Sequence, residues 1–82
     1  MNVILRNTIV CRMCEKAQRN EITEHYIYSR LAEVVPNKKN KKLLLHLAKD
    51  ELSHYHFWKE HMNKDMAPHM FRVRFYVLVS RV

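Results

Sequence analysis

The sequence predicts an all-α chain: an antiparallel helical hairpin followed by a short C-terminal helix. Three observations lead there. The 82 residues contain no glycine, and a β-rich fold needs glycine at the tight turns between its strands. The two prolines, Pro36 and Pro68, divide the chain into three segments, because neither can continue a helix. Within the first two segments, core-type residues recur at steps of three and four, the spacing of one helix face.

The first segment spans about 8–35. Val10, Cys14, Ala17, Glu21, Glu24, Tyr28, Leu31 and Val35 form an unbroken seam along it. Pro36 ends the segment by pushing the residue before it out of the α region. Asn37 is placed to cap the next helix, since its side-chain oxygen can accept an orphan N–H. The second segment spans about 38–62, with Leu44, Leu47, Glu51, His54, Trp58 and His61 as its seam and Leu43, Ala48, Tyr55 and Met62 beside it. Asn63 is a candidate C-terminal cap, and Pro68 stops any continuation. The third segment spans about 69–82. Its β-branched Val73, Val77 and Val79 leave a strand open, but Phe71, Phe75, Leu78 and Val82 recur at helical spacing, so a helix is expected. So short a connection between the first two helices makes them antiparallel neighbours. The whole chain, 1–82, is read as one small domain.

The formal net charge is +7, which raises the question of an anionic partner. The basic residues are scattered, apart from Lys38, Lys39, Lys41 and Lys42 just after Pro36. A solvated turn explains that cluster more simply than a phosphate-binding patch, and nucleic acid is not favoured as a partner. Cys11 and Cys14 cannot form a disulfide framework. The opening MNVILRNTIV, broken by Arg6 and Asn7, is a poor export signal. A reducing, cytoplasmic setting is therefore expected. The apolar tail FRVRFYVLVSRV is too short for the roughly 20 residues that span a bilayer. It runs on without a polar cap, as expected of a fragment of a longer protein or of an end that docks on a partner.

The chemistry lies in the ionisable residues of the two seams. A buried carboxylate is normally paired, protonated or metal-bound, because an unpaired one costs several kcal/mol. Glu21 precedes Pro36 by fifteen residues and Glu51 follows it by fifteen. At about 1.5 Å per residue both lie roughly 22 Å from the turn, so the two carboxylates are expected at one height. His54 sits one turn from Glu51 on the same face. One Glu from one helix and a Glu-x-x-His from the next make half of a dinuclear carboxylate site. Two copies would supply four carboxylates and two imidazoles, a set that suits Fe or Mn better than a thiolate-rich structural zinc site. The alternative is a rotated seam, with both carboxylates in solvent and His54 a half-buried packing residue.

The stretches NEITEHYIYSRLAEVV and LLLHLAKDELSHYHFW resemble the first helical pair of rubrerythrin-type ferritin-like domains. They are most similar to those fused to membrane domains of the vacuolar-iron-transporter type. The pattern of a Glu, a Tyr seven residues later and an Ala eleven later is met by Glu21, Tyr28 and Ala32. The second-helix Ala, Glu and His are met by Ala48, Glu51 and His54. The likeness covers roughly residues 17–82 and is strongest over 20–58. It implies a half-bundle that pairs into a four-helix bundle and an iron (di-iron) centre, with Mn or Zn as substitutes. It also implies Fe(II) oxidation or peroxide reduction in iron storage or detoxification. The family's later helices supply a further Glu and a second Glu-x-x-His. No carboxylate follows Phe71 here, and the four-cysteine site of full rubrerythrins is absent. A homodimer or higher symmetric oligomer would restore the set, as in half-length ferritins. The resemblance also implies a second setting, at the membrane surface. There the chain would be a non-enzymatic dimerisation or iron-sensing module preceding a membrane domain.

Accessory roles are open at several positions. Glu24 is a candidate transient ligand for incoming iron, or a partner for a basic residue at a dimer edge. Tyr28 and Tyr55 are candidate donors to the ligand carboxylates, or aromatic core. His25, His46, His56 and His61 are read mainly as surface or packing residues, Trp58 as a core or interface anchor, and the cysteine pair as structural.

Overall fold

The computed structural model describes residues 8–80. They form three helices and no strand: α1, Thr8–Val34; α2, Lys38–Met62; and α3, Met70–Ser80. The all-α hairpin with a short third helix is thus the observed fold. Residues 1–7, on which the reading of an export signal rests, and Val82 lie outside the described residues.

The helix ends follow from local chemistry. The Val35 N–H still donates to the Leu31 carbonyl at 3.1 Å, and Pro36 then stops α1. Asn37 has extended backbone angles, φ −79° and ψ 119°. Its Oδ1 accepts from the N–H groups of Lys39 at 2.9 Å and Asn40 at 3.1 Å, two donors that α2 cannot satisfy internally. At the other end Asn63 adopts the left-handed conformation, φ 50° and ψ 44°, and its N–H donates to the Lys59 carbonyl. Asparagine is among the few non-glycine residues that tolerate this geometry.

Helix α1 is the middle of the structure and packs against both other helices. Toward α2 lie Cys14, Gln18, Ile22 and Ala32, facing Ala48, Tyr55 and Met62, all buried. The alanines bring the two backbones close, and His25 Nδ1 donates across the contact to the Ala48 carbonyl at 2.7 Å. On the opposite side Thr23 and Ile27 are buried beside the start of α3. The second and third helices take opposite sides of α1 and scarcely touch each other. The helices form a single layer.

This arrangement corrects the seam read from spacing. Of the eight residues of the first seam, Cys14 is buried, Val10 is exposed, and the others, from Ala17 to Val35, are half-buried. The seam lies along the flank between the two packed faces of α1, open on one side. In α2 the corresponding row is half-buried at Leu44, Leu47, Glu51 and Trp58 and exposed at His54 and His61. The most buried α2 positions, Ala48, Tyr55 and Met62, lie next to that row.

The segment between α2 and α3 is fastened to both long helices. Gln18 Nε2 donates to the Lys64 carbonyl at 2.5 Å, and Lys64 Nζ pairs with Glu15 at 3.0 Å. The His69 N–H donates to Thr23 Oγ1 at 2.9 Å. These contacts lay α3 along α1, parallel to it. Val73 is completely buried, while Phe71, Phe75 and Leu78 are 76 %, 54 % and 65 % exposed. The apolar row that identified the third helix therefore points away from α1. No helix among the described residues is long and apolar enough to cross a membrane.

Replacing Asn37 by alanine leaves the first-turn N–H groups of α2 without their side-chain acceptor. A loss of about 1 kcal/mol in unfolding free energy is expected, measured by urea denaturation followed by circular dichroism.

Candidate metal centre

Midway along the hairpin, α1 presents Glu21 and Glu24 while α2 presents Glu51 and His54. Equal distance from the turn brings the two helices to the same level here. His54 Nδ1 lies 3.2 Å from Glu21 Oε2 and 3.6 Å from Glu51 Oε1. The Glu51 and Glu21 side chains are only 16 % and 23 % exposed, whereas His54 is 58 % exposed. The cluster is therefore walled by protein on the carboxylate side and reachable from solvent past the imidazole.

One ligand atom from each of Glu21, Glu51 and His54 can be chosen so that all lie within 4.8 Å of one another. Two donors held about 2.1 Å from one ion cannot be more than about 4.2 Å apart. A rotamer adjustment of less than about 1 Å would thus bring these three onto a common ion. Two carboxylates and one imidazole, with the rest of the coordination sphere open, form a set that iron, manganese and zinc all accept. The alternative of carboxylates pointing freely into solvent does not describe these half-buried, mutually contacting groups.

Glu24 belongs to the same cluster. Its carboxyl interacts with that of Glu51, and the Glu51 carboxyl with that of Glu21. Burial is the main reason that the Glu51 carboxyl is raised above its ordinary value, followed by the contact with Glu21. Glu24 is raised too, by burial and then by Glu51, with the guanidinium of Arg72 pulling the other way. Both shifts express one fact: three carboxylates meet where water is partly excluded, and they cannot all ionise cheaply. A divalent cation at this point would relieve the same repulsion.

The surroundings divide the accessory candidates. Tyr28 lies close enough for its phenol to be raised by burial and then by the charges of Glu24, Glu51 and Glu21. With Glu24, Leu31, Arg72 and Tyr76 it lines a cleft of about 260 Å³ between α1 and α3. Tyr55 does not serve the carboxylates. Its hydroxyl donates to Asp65 Oδ1 at 2.9 Å and accepts from the Met66 N–H at 3.2 Å, because its position on α2 points it at the loop. No spacing rule links Arg72 to Glu24; it arrives because the fastened loop brings α3 back along α1. Its guanidinium also donates to Asn20 Oδ1 at 3.2 Å.

The remaining histidines stand apart from the cluster. His25 serves the helix packing described above, His46 pairs with Asp50 one turn away at 3.6 Å, and His61 Nδ1 donates to the Phe57 carbonyl at 2.8 Å. Cys11 and Cys14 are free thiols, the second buried, and Cys11 Sγ donates to Glu15 at 3.5 Å. Comparison of the chain with known families, curated proteins and solved structures finds no match.

The raised carboxyls set a pH dependence for the metal-free protein. Folded Glu24 and Glu51 hold their protons more tightly than the unfolded chain does. Their contribution to stability is complete below the ordinary value of about 4.5 and is lost as pH rises through their higher folded values. Acidification from neutrality toward pH 5 should thus raise the melting temperature in the presence of a chelator. Glu51→Gln should raise it at pH 7 and flatten the dependence. A variant melting below the parent at neutral pH would contradict this account.

Proposed function

We propose that this chain binds iron through Glu21, Glu51 and His54, and that two copies pair across this face to complete a dinuclear carboxylate centre. The observation that carries the reading is the three-residue donor set at mid-hairpin, with its ligand atoms within 4.8 Å of one another. Its place on the open flank of a one-layer structure supports the pairing. Above and below the carboxylates the flank carries half-buried Leu31, Tyr28, Leu47 and Trp58. A second copy packed there would cover these side chains and exclude water from the site. Symmetric dimers are the commonest oligomers, and a two-fold axis at this point doubles the set to the full complement of such centres.

In this reading the residues have distinct tasks. Glu51, which interacts with both Glu21 and Glu24, would be a ligand carboxylate and would have to give up its proton to act as one. Glu21 and His54 would add ligands from the two helices. Glu24, balanced between Glu51 and Arg72, is positioned to receive the displaced proton or to assist an incoming ion. Iron held with open positions supplies redox chemistry with O₂ or peroxide, so the expected reaction class is Fe(II) oxidation or peroxide reduction. The exposure of His54, at 58 %, favours one further reading. A shallow site that exchanges its ion with solvent suits a non-enzymatic iron sensor attached to a membrane transporter.

Anaerobic Fe(II) titration joined to a mass measurement tests the proposal. Saturation near about one iron per chain in a particle of dimer mass is expected, and Glu51→Ala should abolish uptake. Oxygen consumption by the loaded dimer, absent in Glu21→Ala/His54→Ala, would select oxidation over sensing. Wild-type protein that is a stable dimer yet takes up neither Fe(II) nor Mn(II) would sink the metal reading.

A further inference from the structure

Helix α3 is apolar on both sides. Val73 and Val77 face α1, while Phe71, Phe75, Leu78 and Val79 are between 52 % and 76 % exposed on the outer side. A contiguous exposed apolar patch ordinarily marks an interaction surface, and this outer ridge is contiguous, following the i, i+4, i+7 spacing of one face. The pairing proposed above cannot cover it. That pairing lies over the flank of α1 between its two packed faces, whereas the ridge is on the edge of the layer, turned away from α1.

Charge decides what fits the edge. No Asp or Glu occurs between Met66 and Ser80. Arg72 and Arg74 lie on opposite sides of the ridge, and Arg74 borders a cleft with Arg30, Val77 and Leu78. Among the described residues neither Arg30 nor Arg74 forms an ion pair. The Lys38, Lys39, Lys41 and Lys42 turn lies at the end of the hairpin toward which α3 runs. A second copy docking ridge to ridge would bring arginines against arginines with no acidic residue in either helix. A surface with an apolar interior and an anionic boundary complements an aromatic ridge edged by arginines.

We propose that α3 is an interfacial anchor: the Phe71–Phe75–Leu78 ridge enters the outer acyl layer of an anionic membrane while Arg30 and Arg74 meet lipid phosphates. The layer then lies edge-on to the bilayer, and the Glu21–Glu51–His54 face stays free to pair. This inference does not depend on the metal reading.

The 82-residue protein is to be mixed, with a chelator present, with phosphatidylcholine vesicles with or without about one-third phosphatidylserine, and flotation measured. Binding to the anionic vesicles and little to the neutral ones is expected. Phe71→Gln/Phe75→Gln should lower that affinity by at least about tenfold, and Arg30→Gln and Arg74→Gln by about fivefold each. Since both phenylalanines are exposed, the double variant should keep the parent's helicity and melting temperature. Three results would overturn the proposal. The first is no flotation with either vesicle. The second is equal binding by parent and double Phe variant, which would assign binding to the lysine turn. The third is a double variant whose particle mass falls, which would assign the ridge to a second copy.

Discussion

Only Val35, Pro36 and Asn37 separate α1 from α2, and so short a connection leaves the helices no freedom to slide. Residues equidistant from the turn must meet. Glu21 and Glu51 are such a pair, and His54 reaches both across the contact. The cost is electrostatic. Three carboxylates converge where burial weakens their hydration, so the proton affinities of Glu24 and Glu51 rise. A sequence selected for hairpin stability alone would place apolar residues at these positions.

The second consequence is that α1 is used on more than one side. Packing α2 against one face and α3 against the opposite one makes a layer rather than a closed bundle. The flank between those faces is then only half-covered, and the carboxylate cluster lies on it. A half-closed cluster has two properties at once: its side chains are held in place through helix packing, and one side stays open to solvent. The small number of fully buried side chains among the described residues follows from this open arrangement.

The path of the chain after α2 determines what borders the site from the far side. Gln18, Glu15, Thr23 and Tyr55 together hold residues 64–69, and this fastening directs α3 back along α1. Arg72 is thereby placed beside Glu24, where its charge partly offsets the carboxylate cluster, and the outer row of α3 is left facing outward. The same contacts that tune the site thus create the exposed ridge.

Helix number, helix type and both caps were legible in the residues, because proline, asparagine and a three-to-four spacing act locally and their effects need no distant partner. The height match of Glu21, Glu51 and His54 was legible too, being set by counting from Pro36. What spacing could not supply was rotation. A row such as Cys14–Ala17–Glu21 or Phe71–Phe75–Leu78 shows that a face exists, not whether another helix covers it. Tertiary structure made the first a half-open flank and turned the second outward, sent Tyr55 to Asp65, and brought Arg72 to Glu24. Those outcomes depend on which of several apolar faces on α1 each neighbour occupies, a choice decided by side chains far apart in sequence that meet only once the chain has folded.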